Sequence, residues 1–502
     1  MSAFKRHFGN RHLGKRLALA GTAALALSAC ATTSATAQRV RPGDPISPAE
    51  AQVGAQSHEA FLQEFGGAMS GPQSDYVVRV GQGIAVQSGL ATRPDAFRVT
   101  LLNSSINNAF AVPGGYVYIT RQLVGLMNNE AELAAVLGHE VGHVAARHSA
   151  RRQSRAQRNG LLGAGAAILS SVLLGGNNPL GQQISQAALQ GSQLLTLKFS
   201  RTQELEADNL GVQYLTGAGY DPHAMATLLS SLAAQNTLDA QLLGQGGATM
   251  PAWASTHPDP ASRVRNAMTR AGTATGITNR ETFLQRVDGL MYGDDPAQGA
   301  IEGSQFIHPE LRLSFTAPTG FYMVNSTRAV SITGDAGRAQ FTTAAFDGNL
   351  ENYVRAQFRA LGGEQQQLAP QSLQRSTVNG LQVMTGGARV NNGQQQVDVT
   401  VVAYDFGGGK AYHFAAITPA GQATVFNPLF NSMRRITAQE AAQVVPRAID
   451  VVTAARSDTV QTLARRMAYT DGQEARFRVL NGLNSTATVV PGQQYKIVVR
   501  SR

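Results

Sequence analysis

The sequence predicts an α+β protein: a mainly helical domain with a small sheet, then an α+β domain, then a small strand–helix–helix–strand module. Three observations predict it. Helical spacing of apolar residues dominates from Asn129 to about Ala271. From Gln305 onward, apolar and polar residues alternate as they do in strands. The tail after Asp450 then runs strand, helix, helix and strand, and the 502-residue chain is long enough for each part to have a core.

The N-terminal segment predicts export across a bacterial membrane. Five positive charges and no acidic residue precede the apolar run "LALAGTAALALSAC". A basic start, a short apolar run and small residues at its end are typical of a secretory signal, here residues 1–29. "LSAC" resembles a lipobox, which makes Cys30 the expected lipidation site, and Ala31 after it then favours the outer membrane. The alternative is ordinary cleavage of "ATAQ" after Ala37, which would release a soluble periplasmic protein.

Composition excludes several classes of protein. The chain is 43% hydrophobic and 15% charged, which is typical of folded rather than disordered proteins. The net charge is +10, but the five charges of the signal segment account for half of it. The remaining charge of about +5 gives no reason to expect nucleic acid as a partner. Cys30 is the only cysteine, so packing rather than disulfides must stabilise the mature chain.

The helical domain is predicted over residues 46–272, after a Thr/Ser/Ala-rich spacer at 30–45. Its first helix is indicated by Ser47 as the N-cap and Pro48 in the first turn. "DAFRVTLLN" and "NAFAVPGGYVYIT" predict short strands, and the Pro-Gly-Gly turn at residues 113–115 predicts a hairpin.

The remaining chain is divided by composition. Residues 273–303 are rich in Gly, Thr and Asp and predict a linker with room for a short helix. Residues 304–437 predict the α+β domain and contain no catalytic constellation, so His308 and His413 are interpreted as structural or surface residues. Residues 448–500 resemble a LysM domain through "SDT", "LNGL" and "PGQ". Ser457 replaces that family's usual glycine, and peptidoglycan binding through this tail is therefore set beside a purely structural role.

The stretch "LGHEVGHVAARH" carries the clearest chemical signal. "NNEAELAAVLG" before it has an Asn cap and acidic residues in its first turn, so the motif falls on a helix. Residues four apart share one face of a helix, so His139 and His143 can offer two imidazole nitrogens to one ion. Glu140 then lies beside the metal, where a general base can take a proton from the activated water.

A third ligand is predicted from "SRTQELEADNLG". A catalytic zinc site has three protein ligands and one open position. Glu204 is the candidate ligand, with Asp208 four residues later on the same helix face. We expect Asp208 to hydrogen-bond a ligating histidine and fix its tautomer. Glu206 is set aside because its side chain should point away from Asp208.

"HEVGH" followed by "ELEAD" resembles metallopeptidase family forty-eight, whose members include HtpX-like and CAAX prenyl proteases and periplasmic quality-control peptidases. The resemblance implies a zincin-type fold, one Zn²⁺ per chain and peptide-bond hydrolysis. "STHPDPASRV" matches a segment of that family, which implies that His257 is a fourth ligand or a gate. Arg263, one turn later, either stabilises the oxyanion or pairs with an acidic neighbour.

The resulting expectation is a zinc-dependent metalloendopeptidase of the cell envelope, placed as an outer-membrane lipoprotein facing the periplasm. The resemblance implies unfolded or misfolded polypeptides as substrates, including stalled outer-membrane proteins. They would add a strand at the edge around residues 107–112. Two alternatives stay open: a peptidoglycan-anchored assembly factor or scaffold with secondary proteolysis, and a peptidoglycan hydrolase. The apolar, glycine-rich stretch at residues 160–176 is interpreted as a lid, a buried helix or a membrane-dipping segment.

Overall fold

The computed structural model describes residues 41–151, 199–242, 257, 260–362, 368–391 and 396–501. The predicted signal segment, the lipidation site Cys30, the alternative cleavage site and the apolar stretch 160–176 lie outside these residues. Within the described ranges, no helix combines the length and apolar character needed to cross a membrane.

The N-terminal part of the described chain begins with two helices and a small sheet. The Ser47 hydroxyl accepts a hydrogen bond from the Glu50 backbone N–H, and the Glu50 carboxylate accepts one from the Ser47 backbone N–H. A capping box therefore starts the first helix, with Ser47 as the predicted N-cap. The three-stranded sheet has the order β1-β3-β2, with β1 parallel and β2 antiparallel to β3. The elements are α1 (Pro48–Glu64), α2 (Pro72–Ala85), β1 (Arg98–Leu102), β2 (Ala109–Val112), β3 (Tyr116–Thr120) and α3 (Arg121–Leu126).

A fully buried helix forms the centre of this domain. Every residue of α4 (Glu130–Ala145) is buried, and Asn129 caps it by accepting from the Glu132 backbone. It packs against α5 (Arg201–Gly217), and small residues allow the close approach. A Cβ at Gly142 would lie 3.1 Å from the Ala207 carbonyl oxygen. This proximity brings side chains of the two helices to one place.

Further helices surround that pair. α6 (Ala224–Leu242) packs on α4, and α7 (Pro260–Ala271) packs on α6 and α5. The region predicted as a linker, 273–303, contains α8 (Arg280–Val287), whose Phe283 and Leu284 are buried in the main core. The short helix that the sequence allowed in this region is present, but the region is part of the folded core rather than a linker, because Phe283, Leu284 and Val287 pack into the main apolar cluster.

The following domain is α+β, as predicted. A seven-stranded antiparallel sheet has the order β10-β11-β12-β13-β9-β8-β7, and a four-stranded sheet has the order β14-β6-β5-β4. Two apolar clusters form its core. Its strands are β4 (Ala300–Glu302), β5 (Gln305–His308), β6 (Leu313–Thr316), β7 (Tyr322–Asn325), β8 (Val330–Gly334), β9 (Gly337–Thr343), β10 (Ser372–Val378), β11 (Leu381–Asn391), β12 (Gln396–Asp405), β13 (Ala411–Pro419) and β14 (Arg434–Arg435). Its helices are α9 (Leu350–Gly362), α10 (Asn427–Ser432) and α11 (Ala438–Gln443).

The C-terminal tail runs β15 (Arg447–Thr453), α12 (Val460–Ala464), α13 (Gln473–Leu480) and β16 (Gln494–Arg500), with the two strands antiparallel. Its apolar residues do not form a core of their own. Ile449, Leu463 and Phe477 belong to the same cluster as Leu133 and Val136 of α4. The tail, predicted as an appended module, is thus continuous with the core of the helical domain. The α+β class predicted from the sequence is confirmed.

Candidate metal centre

Two imidazoles meet on one face of α4. His139 and His143 lie one turn apart, with ring centroids 4.7 Å apart and an interplanar angle of 83°. Their Nε2 atoms are 3.0 Å apart. Both side chains are buried, at 1% and 3% exposure. Spacing of four along the helix therefore aims two nitrogen donors at one point.

The carboxylate of Glu204 faces these nitrogens from α5. One oxygen lies 3.5 Å from His143 Nε2 and the other 3.6 Å from His139 Nε2. A capping box of Ser200 and Gln203 fixes the start of α5, one turn before Glu204. The predicted metal site needs these two distant segments to approach each other, and the structure brings them together.

His257 completes the cluster. Its Nδ1 lies 3.2 Å from both Glu204 oxygens and 3.3 Å from His139 Nε2. Donor atoms of His139, His143, Glu204 and His257 all lie within 4.8 Å of one another, and all four residues are buried. Three imidazoles and one carboxylate form a donor set that suits Zn²⁺. The cluster is able to bind a metal ion.

Glu140 lies beside the cluster rather than in it. It is 1% exposed, and its Oε1 is 3.6 Å from His257 Nε2. That oxygen is buried and has no hydrogen-bond partner among the described residues. Burial raises the pKa of Glu140 to about 8. A buried, unsatisfied carboxyl group facing the donors is costly to the fold, which is typical of a group kept for chemistry.

Asp208 supports one of the imidazoles. Its Oδ1 lies 2.9 Å from His139 Nδ1, so the ring donates to Asp208 and directs Nε2 toward the cluster. Burial alone would raise the pKa of Asp208, but hydrogen bonds from Arg263 and His139 outweigh burial and hold that pKa below its usual range. The carboxylate is therefore a permanent acceptor.

Arg263 joins the two carboxylates of α5. Its guanidinium donates to both oxygens of Asp208, at 2.7 and 2.5 Å, and to Glu204 at 2.6 Å. Of the two predicted roles, pairing with acidic neighbours is the one whose contacts are present. The oxyanion role of Arg263 stays a prediction.

The structure adds two residues that sequence reasoning missed. His143 Nδ1 lies 2.7 Å from Nδ1 of His148, whose Nε2 lies 3.1 Å from Glu206. Arg151 also donates to Glu206, at 2.9 and 3.1 Å. Glu206 therefore has two hydrogen-bond partners, His148 and Arg151, although the spacing alone sets it aside as a site residue. The signal available was the third histidine of "LGHEVGHVAARH".

Comparison with known proteins defines the class of this domain. Residues 72–271 match the model of peptidase family M48. The matched segment lies within residues 46–272, the region where the sequence resembles this family.

Particular relatives share the same segment. The chain is 34% identical over 199 residues to the β-barrel assembly-enhancing proteases of Yersinia pestis and Escherichia coli K12, covering 39% of this chain and 39% of each relative. It is 31% identical over 219 residues to the mitochondrial metalloendopeptidase OMA1 of Schizosaccharomyces pombe, covering 43% and 59%. The chain thus spans about two fifths of the length of the first relatives it matches.

Proposed function

We propose that this protein is a zinc-dependent metalloendopeptidase of the bacterial cell envelope. One observation carries the proposal: Glu140, with an unsatisfied buried oxygen, stands beside two imidazoles of α4 and a carboxylate of α5. A metal site that only stabilises a fold needs no such neighbour, whereas hydrolysis needs a base next to the ion.

Each residue of the cluster receives a role. His139, His143 and Glu204 would hold the metal. When bound, Zn²⁺ would supply a Lewis acid that polarises the scissile carbonyl and activates water. Glu140 takes the proton of the attacking water and delivers it to the leaving amine. Asp208 keeps His139 in the tautomer whose Nε2 lone pair faces the ion.

His257 is assigned the gate. Its contacts with Glu204 and its approach to Glu140 put it where water and substrate would enter. Substrate access then requires His257 to move away, so we assign the arrangement with His257 against Glu204 as the resting state.

Unfolded or misfolded envelope polypeptides are the proposed substrates. The names of the relatives link two of them to the assembly of β-barrels, and β2 offers the means of recognition. This strand is an edge of its sheet and packs against α4. An extended peptide that pairs with β2 would be read by its backbone, which suits substrates of diverse sequence.

The envelope location rests on the predicted signal and lipobox. Anchoring to the outer membrane through Cys30 is the proposed form, with release into the periplasm after cleavage at Ala37 as its alternative. Globomycin-sensitive processing and labelling with radioactive palmitate would separate the two forms.

Metal content and digestion of casein, measured together, test the activity. Wild type should bind one Zn²⁺ per chain and cleave casein, and Glu204→Ala should lose both properties. Glu351→Ala, which removes a half-exposed carboxylate paired with Arg355 on α9, is the matched control and should keep both. Activity on purified peptidoglycan but not on casein would replace the peptidase by a hydrolase of the wall. Zinc binding with neither activity would favour the scaffold.

A further inference from the structure

We infer that His148 and Glu206 form a relay that orients the metal ligand His143; this rests on the proposed function. The relay runs from the imidazole of His143 to that of His148 and ends at the carboxylate of Glu206. Neither His148 nor Glu206 belongs to the four-residue cluster. They act as positioning residues, through His143 and not on the substrate.

The hydrogen-bond roles in the relay follow from geometry. His143 directs Nε2 into the cluster, 3.5 Å from Glu204, so its lone pair must be on Nε2 and its proton on Nδ1. Nδ1–H then donates to Nδ1 of His148 across 2.7 Å. His148 therefore carries its own proton on Nε2, which faces Glu206 at 3.1 Å. The carboxylate has no proton to give, so it fixes both tautomers in one direction.

An unusual backbone turn places His148 where it can act. α4 ends at Ala145, and Arg147 has a φ of 53°, which is the left-handed region. This conformation costs roughly 1 kcal/mol or more in a residue other than glycine. Arg147 is held there by Glu50 at 3.1 Å and by the Asp44 carbonyl at 2.8 Å. The turn brings His148 back toward His143. The backbone strain at Arg147 therefore accompanies the contact between the two histidines on which the relay depends.

The surroundings also hold the two rings in place. Phe199 stacks on His143 with centroids 3.9 Å apart and planes 19° apart. His148 is fully buried, at 0% exposure, and its carbonyl accepts from Gln203 of α5. Packing therefore fixes the positions of both rings, and the hydrogen bonds determine which ring nitrogen of each carries the proton.

The two imidazole ligands are supported in different ways. His139 donates directly to Asp208, whose side chain is 3% exposed. His143 reaches its carboxylate through His148, and the side chain of Glu206 is 38% exposed and paired with Arg151. The support of His143 thus extends to the protein surface, whereas that of His139 is enclosed.

Zinc affinity of the full mature chain, measured by competition with a chromophoric chelator, tests the inference. His148→Leu removes the acceptor and should weaken Zn²⁺ binding about 10- to 100-fold. His148→Asn presents an oxygen near the former Nδ1 and should recover most of the affinity. Glu206→Gln, at the surface, should give an intermediate loss, because its amide can donate to His148 and release the tautomer.

Controls separate positioning from packing. His223→Asn removes a partly exposed histidine that pairs with Asp221 at 2.9 Å, away from the cluster, and should bind Zn²⁺ like wild type. The absorption bands of bound Co²⁺ should shift in His148→Leu and return in His148→Asn. Unfolding of the metal-free variants, followed by circular dichroism, reports whether each one folds; Glu206→Gln keeps the test decisive where His148→Leu does not.

The outcomes are distinct. If wild type fails to bind zinc, the proposed function is wrong. If wild type binds zinc and Glu206→Gln and both His148 variants bind equally well, the relay is wrong and the proposed function stands. Equal weakening in His148→Leu and His148→Asn, with Glu206→Gln unchanged, would also overturn the relay, because only packing would then be lost.

Discussion

The two halves of α4 carry buried acidic residues with opposite surroundings. In the first half, Glu130 accepts hydrogen bonds from Tyr76 at 2.7 Å, Tyr220 at 2.8 Å and Asn279 at 2.7 Å. In the second half, Glu140 has an oxygen with no partner among the described residues. Under the proposed function, the same helix therefore serves stability at one end and chemistry at the other.

Glu132, the second acidic residue in the first half of α4, also has hydrogen-bond partners. Glu132 accepts from the Asn128 backbone at 2.8 Å and from Thr227 at 2.7 Å. Lys496 of β16, also buried, interacts electrostatically with it and donates to the Gly125 carbonyl at 2.9 Å and to the Met127 carbonyl. A buried acidic residue by itself thus says little about function. What distinguishes the proposed metal centre is a buried carboxyl oxygen, that of Glu140, without a hydrogen-bond partner among the described residues.

The sharpest way to break this comparison is Glu140→Gln. We expect casein cleavage to fall by roughly 10²- to 10⁴-fold, the usual contribution of a general base. Zinc content and the midpoint of thermal unfolding should stay at the wild-type level, because Glu140 ligates nothing and the fold does not depend on its charge. A variant that keeps its activity, or that unfolds, would show that Glu140 belongs with the structural acids of the first half.

Lys496→Met changes the other half of α4, where Lys496 acts on Glu132, and should affect stability rather than activity. It removes the ammonium group that donates to two carbonyls and one of the two positive charges that act on Glu132, so the free energy of unfolding should fall by about 3 kcal/mol. Denaturation by urea measures this fall. Lys410→Met is the matched control, since Lys410 is exposed next to the glycine turn before β13. Adding Glu132→Gln to Lys496→Met should restore part of the stability, because the uncompensated charge then disappears.

Spacing made one end of α4 predictable from the sequence and not the other. His139 and His143 lie one turn apart on α4, with Glu140 directly after His139, and Glu204 and Asp208 lie one turn apart on α5. Each interval predicts a shared helix face, and packing of the two helices brings the faces together. His148 lies beyond the end of the helix, and the left-handed turn at Arg147 places it next to His143. The spacing of residues in the sequence does not predict such a turn.

The interaction of Glu132 with Lys496 was equally unpredictable from the sequence. Lys496 stands near the end of a tail whose pattern is that of a small separate module, and local pattern does not tell which surface a strand will pack against. The same reason explains the predicted linker at 273–303. Phe283 and Leu284 become core residues only through contacts that are distant in sequence. Local spacing predicts which residues share a face, whereas long-range packing decides what that face meets.

Removal of the metal should affect the unfolding midpoint through the metal-binding end of α4 and not through the end at Glu132. Zinc bound at a free concentration 100 times its Kd stabilises a fold by about 2.7 kcal/mol, so a chelator should lower the unfolding midpoint of wild type. Glu204→Ala should show no such response, since its cluster has lost a carboxylate. Lys496→Met should start from a lower midpoint and respond as wild type does. A response that disappears in Lys496→Met would mean that the two ends are one coupled unit.

The smallest effect concerns a buried histidine outside both ends. His413 of β13 is 4% exposed and lies 2.9 Å from the Tyr353 hydroxyl of α9. Burial lowers the pKa of His413 to about 4, below the value of 6.5 expected in the unfolded chain. Between these values the unfolded chain binds the proton and the folded one does not, so stability is lost as the pH falls from 6.5 toward 4.

For this one group, the loss between pH 7.5 and pH 5 should be about 2 kcal/mol, since each pKa unit corresponds to about 1.4 kcal/mol. His413→Gln cannot take up that proton, so its unfolding free energy, measured in urea at both pH values, should fall less than that of wild type by about this amount. Casein cleavage at pH 7.5 should be unchanged. Equal acid sensitivity in the two proteins would mean that His413 is protonated within the fold. His413, with the Tyr353 hydroxyl as its partner, would then carry a buried charge without the several hydrogen bonds that Glu130 has. Buried charge would then not depend on hydrogen-bond partners in the way that the two halves of α4 indicate.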